Sequence, residues 1–260
     1  MPRPLAASRH GEILRRVEAA GAASVEELAT SLGVSRETIR RDLKALAELG
    51  RLAVVHGGAV RREEAEASFA ARRAENRSGK AAIAALAVRL VSHGMTVLLD
   101  SGTTTYAIAL ALSRSGPQRL SVHTTSLLAA QVLCRVPRTR VRLIGGEVDP
   151  NDEATTGPGV REAISDLRVD IAFVGVGGLD PEGRMADFTR AAAELRGAML
   201  RSAQHGYFVV DHRKFGRSLP GPIDGDAGAA GVLVDRRPPE VLRHKLRDRG
   251  LRVIAPPSDS

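Results

Sequence analysis

Two sets of residues in this 260-residue chain are spaced for chemistry. The first is the run SRETIRRDL, Ser35 to Leu43, in which Arg36, Arg40 and Arg41 stand among aliphatics, with Lys44 directly after it. On a helix turning about 100° per residue, Ile39, Leu43 and Leu46 gather on one side, and Glu37, Arg40, Arg41 and Lys44 fall on an arc roughly opposite. An apolar face that packs and a basic face that looks outward suit a helix laid in the major groove. There guanidinium and ammonium groups reach phosphates and base edges, and the first turns, with Ser35, Arg36, Thr38 and Arg40, lie nearest the bases. The second set sits at the ends of strand-like segments: Asp100 followed by Ser101, Gly102, Thr103 and Thr104; then Thr124, Thr125 and Ser126; then Gly145 and Gly146. Glycine permits close backbone approach, and helix-start amides with threonine hydroxyls suit a phosphate. Asp100 would repel a phosphate and is better suited to accept hydrogen bonds from sugar hydroxyls. Taken singly, each of these loops reads equally as a turn and a cap.

The elements that must position the first set are short. Ser24 and Glu27 form a capping box, so a helix starts at about Val25, with Val25, Leu28, Ala29 and Leu32 on one face. Gly33 makes a turn, Ser35 caps a third helix, and that helix runs to about Glu48, where Gly50 ends it. An earlier amphipathic segment, Arg9 to Ala19, carries Ile13, Leu14 and Val17. Helix, glycine turn, helix is the spacing of a helix-turn-helix. The following RLAVVHGGAVRR predicts a β-hairpin wing about Gly57 and Gly58.

Beyond a charged, alanine-rich helical connector (61–75), strands alternate with helices: MTVLLD, a helix through TTYAIALALS, a strand at Leu120 to His123, a helix through SLLAAQVL, and VRLIGG. Later come VDIAFVGVGG, a helix through TRAAAELRGAMLRSA, GYFVVD, and strands near Val232 and Val253. The alternation predicts an α/β domain over 76–256, built on a largely parallel sheet, with ligands at the carboxyl ends of the strands. The DNA-binding module occupies 1–60.

Net charge is +8; residues 1 to 62 hold eleven Arg and Lys against seven Asp and Glu, so half of it lies in the first quarter of the chain. Dense positive charge there suits a polyanion. Apolar residues make up 43%, and no run of eighteen or more could span a bilayer. Neither a secretory signal nor more than one cysteine, Cys134, is present, so a reducing cytosol is expected, without disulfides or a multi-cysteine metal site. The histidines have no zinc spacing, no phosphate-binding Gly-Lys-Ser/Thr follows Thr103, and GVGGLD lacks the third glycine of a dinucleotide fingerprint.

The stretch GAASVEELATSLGVSRETIRRDLKALAELGRLAVVHGGAV closely resembles the N-terminal winged helix-turn-helix of the DeoR family of bacterial transcriptional regulators. The matching blocks are Ser35, Thr38 to Leu43, and His56 to Ala59; Val54 stands where the family usually has a basic residue. The resemblance implies DNA contacts from Ser24, Ser35, Arg36, Thr38, Arg40, Arg41, Lys44, His56, Gly57 and Gly58. Roughly Lys80 to Asp235 is similar to the family's sensor domain, through Lys80 with Ile83-Ala84, LLDSGTTT, HTTS, LIGG, FVGVGG, Glu194 and VVDHRKFG, with Thr125 where asparagine is common. That domain resembles the ribose-phosphate isomerase and coenzyme A transferase fold and usually takes phosphorylated sugars. By position, the effector set is Lys80, Asp100, Gly102, Thr103, Thr104, Thr124, Thr125, Ser126, Gly145, Gly146, Gly175, Gly177 and Lys214, with Lys214 as counter-charge. The implied protein is a repressor of carbohydrate-metabolism genes, a homodimer or homotetramer in the bacterial cytosol and on the nucleoid when bound to operator, without cofactor. The competing reading is a sugar-phosphate isomerase-like enzyme with an appended DNA-binding module, using Asp100, Glu153, Asp211 and Lys214.

Overall fold

The computed structural model describes residues 6–49, 51–55, 57–60, 67–224 and 228–257. Its first part is α1 (Ala6–Ala20), β1 (Ala22–Ser24), α2 (Val25–Leu32), α3 (Arg36–Glu48), β2 (Ala53–Val55) and β3 (Gly58–Val60). The apolar stripes converge: Ile13 and Val17 of α1, Val25, Leu28 and Ala29 of α2, and Ile39, Leu43 and Leu46 of α3 close one core with Leu52 and Ala59. Both ends of the turn are fixed locally. Ser24 Oγ accepts from the Glu27 N–H at 3.1 Å while the Glu27 carboxylate accepts from the Ser24 N–H at 3.2 Å, and Ser35 Oγ accepts from the Thr38 N–H at 3.2 Å. The wing is more than the expected hairpin, because β1 pairs antiparallel with β3 to give the order β1-β3-β2. Gly58 faces Ser24 in that pairing, and a Cβ on it would collide with the Ala23 carbonyl. Gly50 and His56 lie outside the described residues, as do residues 61–66 of the expected connector (61–75).

Asp42 explains why an acid sits among the arginines of α3. It is buried, and it accepts from Arg9 Nε at 2.8 Å and Arg9 Nη2 at 3.0 Å, with His10 Nε2 at 3.0 Å. This pair ties α3 to α1 on the side away from the exposed arginines. Burial pushes the Asp42 carboxyl up, but the hydrogen bonds from Arg9 and His10 outweigh it and hold it below the ordinary carboxylate range.

The second part begins with α4 (Phe69–Ala74) and α5 (Arg77–Val88) and continues β4 (Thr96–Leu99), α6 (Thr103–Ser115), β5 (Ser121–Thr124), α7 (Leu127–Leu133) and β6 (Arg140–Leu143). A hairpin of β7 (Glu147–Asp149) and β8 (Ala154–Thr156) precedes α8 (Pro158–Ser165) and β9 (Val169–Gly175). Then come β10 (Gly178–Leu179), β11 (Met185–Asp187), α9 (Arg190–Arg201), β12 (Ala203–Val210), β13 (Gly221–Pro222), β14 (Ala229–Val234), α10 (Glu240–Asp248) and β15 (Arg252–Ile254). Seven strands form a parallel sheet in the order β15-β14-β12-β9-β4-β5-β6. Its inner strands are apolar on both faces because helices cover both. Along β9, Ile171 and Phe173 enter the core under α5, α6 and α7, while Ala172 and Val174 enter the core under α8, α9 and α10. β4 is an inner strand, next to the central β9: the chain first builds outward from it through β5 and β6, then returns to lay β9 on its other side. The carboxyl ends of β4 and β9 therefore bracket the point where strand order reverses, the place where open sheets of this kind bind ligands.

Asp42→Asn should remove the carboxylate that Arg9 and His10 bond and destabilise the N-terminal module by about 3 kcal/mol. Because the folded carboxyl is held low, this stabilisation is complete above about pH 4, the unfolded value, and is lost as pH falls through the folded value. Chemical denaturation of wild type and variant across pH 3 to 7 measures both; equal stability throughout would remove Asp42 as the tie.

Candidate DNA interface and effector cavity

Packing of α3 leaves its basic arc in solvent. The side chains of Arg40 and Arg41 are 65% and 80% exposed, Lys44 is exposed, and Thr38 is half-buried at the start of the helix. Glu37 lies 3.8 Å from Arg40 and 3.4 Å from Arg41, and Arg36 pairs with Glu26 of α2. Exposed pairs of this kind contribute about 0–1 kcal/mol, so they yield readily to phosphate. Ser24 and Ser35 cap α2 and α3, and Gly57 and Gly58 form the wing turn and its close contact.

At the sheet's reversal point lies a cavity of about 510 Å³, lined by the end of β4, the β7–β8 hairpin, the start of α9 and the wing strand Ala53 to Val55. Its floor is an ion cluster. Asp100 is 1% exposed; Oδ1 accepts from the Ser101 N–H at 2.8 Å, and Oδ2 accepts from the Gly175 N–H at 3.0 Å and from Arg196 Nε at 3.1 Å. Arg196 Nη1 also lies 2.8 Å from Asp187 Oδ2, an oxygen with no hydrogen-bond partner among the described residues. Burial pushes the Asp100 carboxyl up, helped by Asp187 and opposed by Arg196 and the two amides. Glu147, Asp149 and Asp152 line the cavity as well, with Asp152 paired to Arg72 of α4.

Of the effector set read from the sequence, Asp100 is the member that lines this cavity. Its oxygens are already engaged by Ser101, Gly175 and Arg196, so it holds the floor together. Gly102 is the N-cap of α6 with φ 113 and ψ 168, a conformation that suits glycine, and Gly157 repeats it at the start of α8 with φ 116 and ψ 171. Thr103 and Thr104, both buried, begin α6 beside the cavity's Ser101. Thr124 and Ser126 are occupied in a turn and a cap: Thr124 Oγ1 accepts from the Ser126 N–H, and Ser126 Oγ accepts from the Ala129 N–H. Thr125 Oγ1 is buried with no partner among the described residues. Gly145 is exposed, Gly146 packs against Thr156 and Val160, Gly175 donates to Asp100, and Gly177 packs against Phe188 and Leu219.

The two lysines do other work. Lys80 is buried with its Nζ donating to the carbonyls of Arg72 and Glu75, which closes the end of α4, and burial lowers its pKa. Lys214 Nζ donates to the Val176 carbonyl, and neither lysine lines the cavity. Asp211 accepts from the Arg213 N–H in a short 3-10 turn, and the proposed enzymatic quartet of Asp100, Glu153, Asp211 and Lys214 shares no cavity wall beyond Asp100.

The sequence reading missed Arg196. A signal was available: Ala193, Arg196, Gly197 and Leu200 are spaced three, four and seven apart, and an arginine on a buried helix stripe demands a buried carboxylate. Arg196→Met should leave two buried carboxylates without their cation and destabilise the sensor domain by about 3–5 kcal/mol. Adding Asp100→Asn should restore part of that loss. A double-mutant cycle by chemical denaturation measures the coupling, and purely additive losses would show that the cluster does not act as a unit.

The family model described as DeoR-like helix-turn-helix domain matches residues 9–65, and the one described as DeoR C terminal sensor domain matches residues 75–223. The chain is 30% identical to the HTH-type transcriptional repressor CsqR of Escherichia coli (strain K12), over 97% of this chain and 96% of that protein. It is 31% identical to the glycerol-3-phosphate regulon repressor of the same organism, over 94% and 97%. Among solved structures, a ribose 5-phosphate isomerase A from Methanocaldococcus jannaschii overlaps 54% of this chain and 55% of its own, at 18% identity and a TM-score of 0.39. An exposed arginine helix on a three-helix core, a sensor sheet with a cavity at its reversal point, and two family models in the same order agree: the chain belongs to the DeoR family of DNA-binding transcriptional regulators.

Proposed function

We propose that this regulator is a repressor of carbohydrate-metabolism genes, working as a homo-oligomer in the cytosol, and that a small phosphorylated sugar or polyol in the cavity at the sheet's reversal point alters its hold on DNA. The observation that carries the reading is the shared wall: the wing strand Ala53 to Val55 lines the same cavity as Asp100 and Arg196, so an occupant would touch both modules. The lining divides the ligand. Carboxylates at Glu147, Asp149 and Asp152 suit hydroxyls, whereas a phosphate would be repelled there and is best served by the free amides at the start of α6, beside Ser101. Supporting this assignment, three similar proteins are named glycerol-3-phosphate regulon repressors. A winged helix alone covers a short half-site, and pairing of protomers supplies the second.

A second connection runs through the hairpin loop. The Phe69 N–H donates to the Asn151 carbonyl, and Arg72 pairs with Asp152, so α4, which follows the DNA-binding module, is fastened to the loop that lines the cavity. The test is operator affinity, on fragments selected by the purified protein, with and without a panel of three- to six-carbon sugar and polyol phosphates and their dephosphorylated forms. A phosphorylated member should weaken the complex at least tenfold, and its dephosphorylated form should not. Thr103→Glu should abolish that response while leaving effector-free binding within about twofold. Arg72→Ala should keep effector binding, read by calorimetry, and blunt the release. No response to any phosphate, with operator binding intact, would overturn the effector reading.

A further inference from the structure

The net charge of the second part is concentrated at its very end. Residues 236 to 252 carry seven Arg and Lys against Glu240 and Asp248, a net of +5, whereas all of residues 63 to 260 sum to +4. The remainder of that part is therefore slightly acidic. These residues form α10 and the edge strand β15, which pairs with β14 on one side only. Between helix and strand run two adjoining depressions, of about 550 and 320 Å³, which share Arg243, Arg252 and Val253 and are completed by Arg237 and Arg247.

What sets this field apart is that four guanidinium groups without a carboxylate partner among the described residues line one continuous groove. Arg9, Arg36, Arg40, Arg41, Arg72, Arg184 and Arg196 each pair with a carboxylate. Arg237, Arg243, Arg247 and Arg252 have no carboxylate partner among the described residues, and Glu240, which also lines the groove, faces His244 at 3.7 Å. The Arg243 Nε is buried with no hydrogen-bond partner among the described residues, a donor left open between the two depressions. Arg243 and Arg247 stand one helical turn apart, about 6 Å along α10, close to two steps of the ~3.4 Å axial charge spacing on one DNA strand. Planar guanidinium forks are matched to phosphate oxygens.

We propose that the groove between α10 and β15 is a second DNA-contacting surface, which binds the phosphates of duplex flanking the sequence that α3 reads. It is charge complementarity without base readout. Across the sheet from β6, at about 29 Å for six strand spacings, the groove lies on the far edge from the hairpin that meets the wing. A helix that reads one half-site would not cover the phosphates met there.

The experiment uses the full chain and random-sequence duplexes of 20 and 60 base pairs, with affinity measured from 50 to 300 mM salt. Arg237→Gln/Arg243→Gln/Arg247→Gln/Arg252→Gln should lower the log-log salt slope on the longer duplex by about 2 to 4, at about 0.9 per lost phosphate contact, and lower its affinity at least tenfold at 50 mM. Restoring charge with four lysines should recover most of the slope. Arg40→Ala/Arg41→Ala should lower the slope separately, and the two losses should add. If the fourfold variant does not fold, the exposed pair Arg237→Gln/Arg252→Gln carries the test, with an expected drop of about 1.8. An unchanged slope in a folded variant would overturn the proposal. So would an unchanged slope accompanied by lost binding to phosphatidylserine vesicles, which would assign the groove to a lipid surface.

Discussion

The buried contact between Asp100 and the end of β9 is the constraint on which the sensor half depends. A parallel sheet that builds outward from an inner strand and then returns leaves a gap at the carboxyl ends of the two strands where the order reverses. Here the gap is bridged: a carboxylate at the end of β4 accepts the N–H of Gly175 at the end of β9, and Arg196 of α9 locks onto the same oxygen. A charge buried this deeply is costly unless paired, so removing any member strands the others. The arrangement fixes α9 against the sheet, and the beginning of α9 is a wall of the cavity. Fold and site thus rest on the same atoms.

Charge is sorted by depth and by module. The N-terminal helices bury one acid, Asp42, to orient the reading helix and expose its arginines, each held loosely by a neighbouring glutamate. The cavity does the reverse, burying its cation and presenting carboxylates. A field of that sign disfavours an anion over most of the lining and suits hydroxyls.

Much of this was legible because it is local. Capping residues are read from spacing, so Ser24, Glu27 and Ser35 fixed the ends of two helices, and alternating apolar runs announced the inner strands of the parallel sheet. The β7–β8 hairpin was not legible: its strands are three residues long and polar, with no alternation to detect, yet it forms one side of the cavity. Lys80 misled for a related reason. A lysine in a matching motif reads as a ligand group, but its Nζ is committed to carbonyls eight and five residues earlier in the chain, which close a helix end. Asp100 was legible as a strand-end carboxylate, but its arginine partner was not, since no spacing reveals a contact 96 residues away.

Coupling between modules is a question of which contacts exist only in one state. A ligand that touches sensor residues alone shifts nothing unless the DNA-competent arrangement differs at those residues, because only differential affinity moves an equilibrium. Here the cavity wall contains β2 of the wing, and its hairpin loop is bonded to α4 through Asn151 and Asp152. Moving a population from about 1:99 to 99:1 requires roughly 5.5 kcal/mol of preference. That preference need not come from strong binding. An occupant that fits the hairpin and α6 but crowds Val54, which is 53% exposed at the mouth, would favour the arrangement in which the wing is withdrawn.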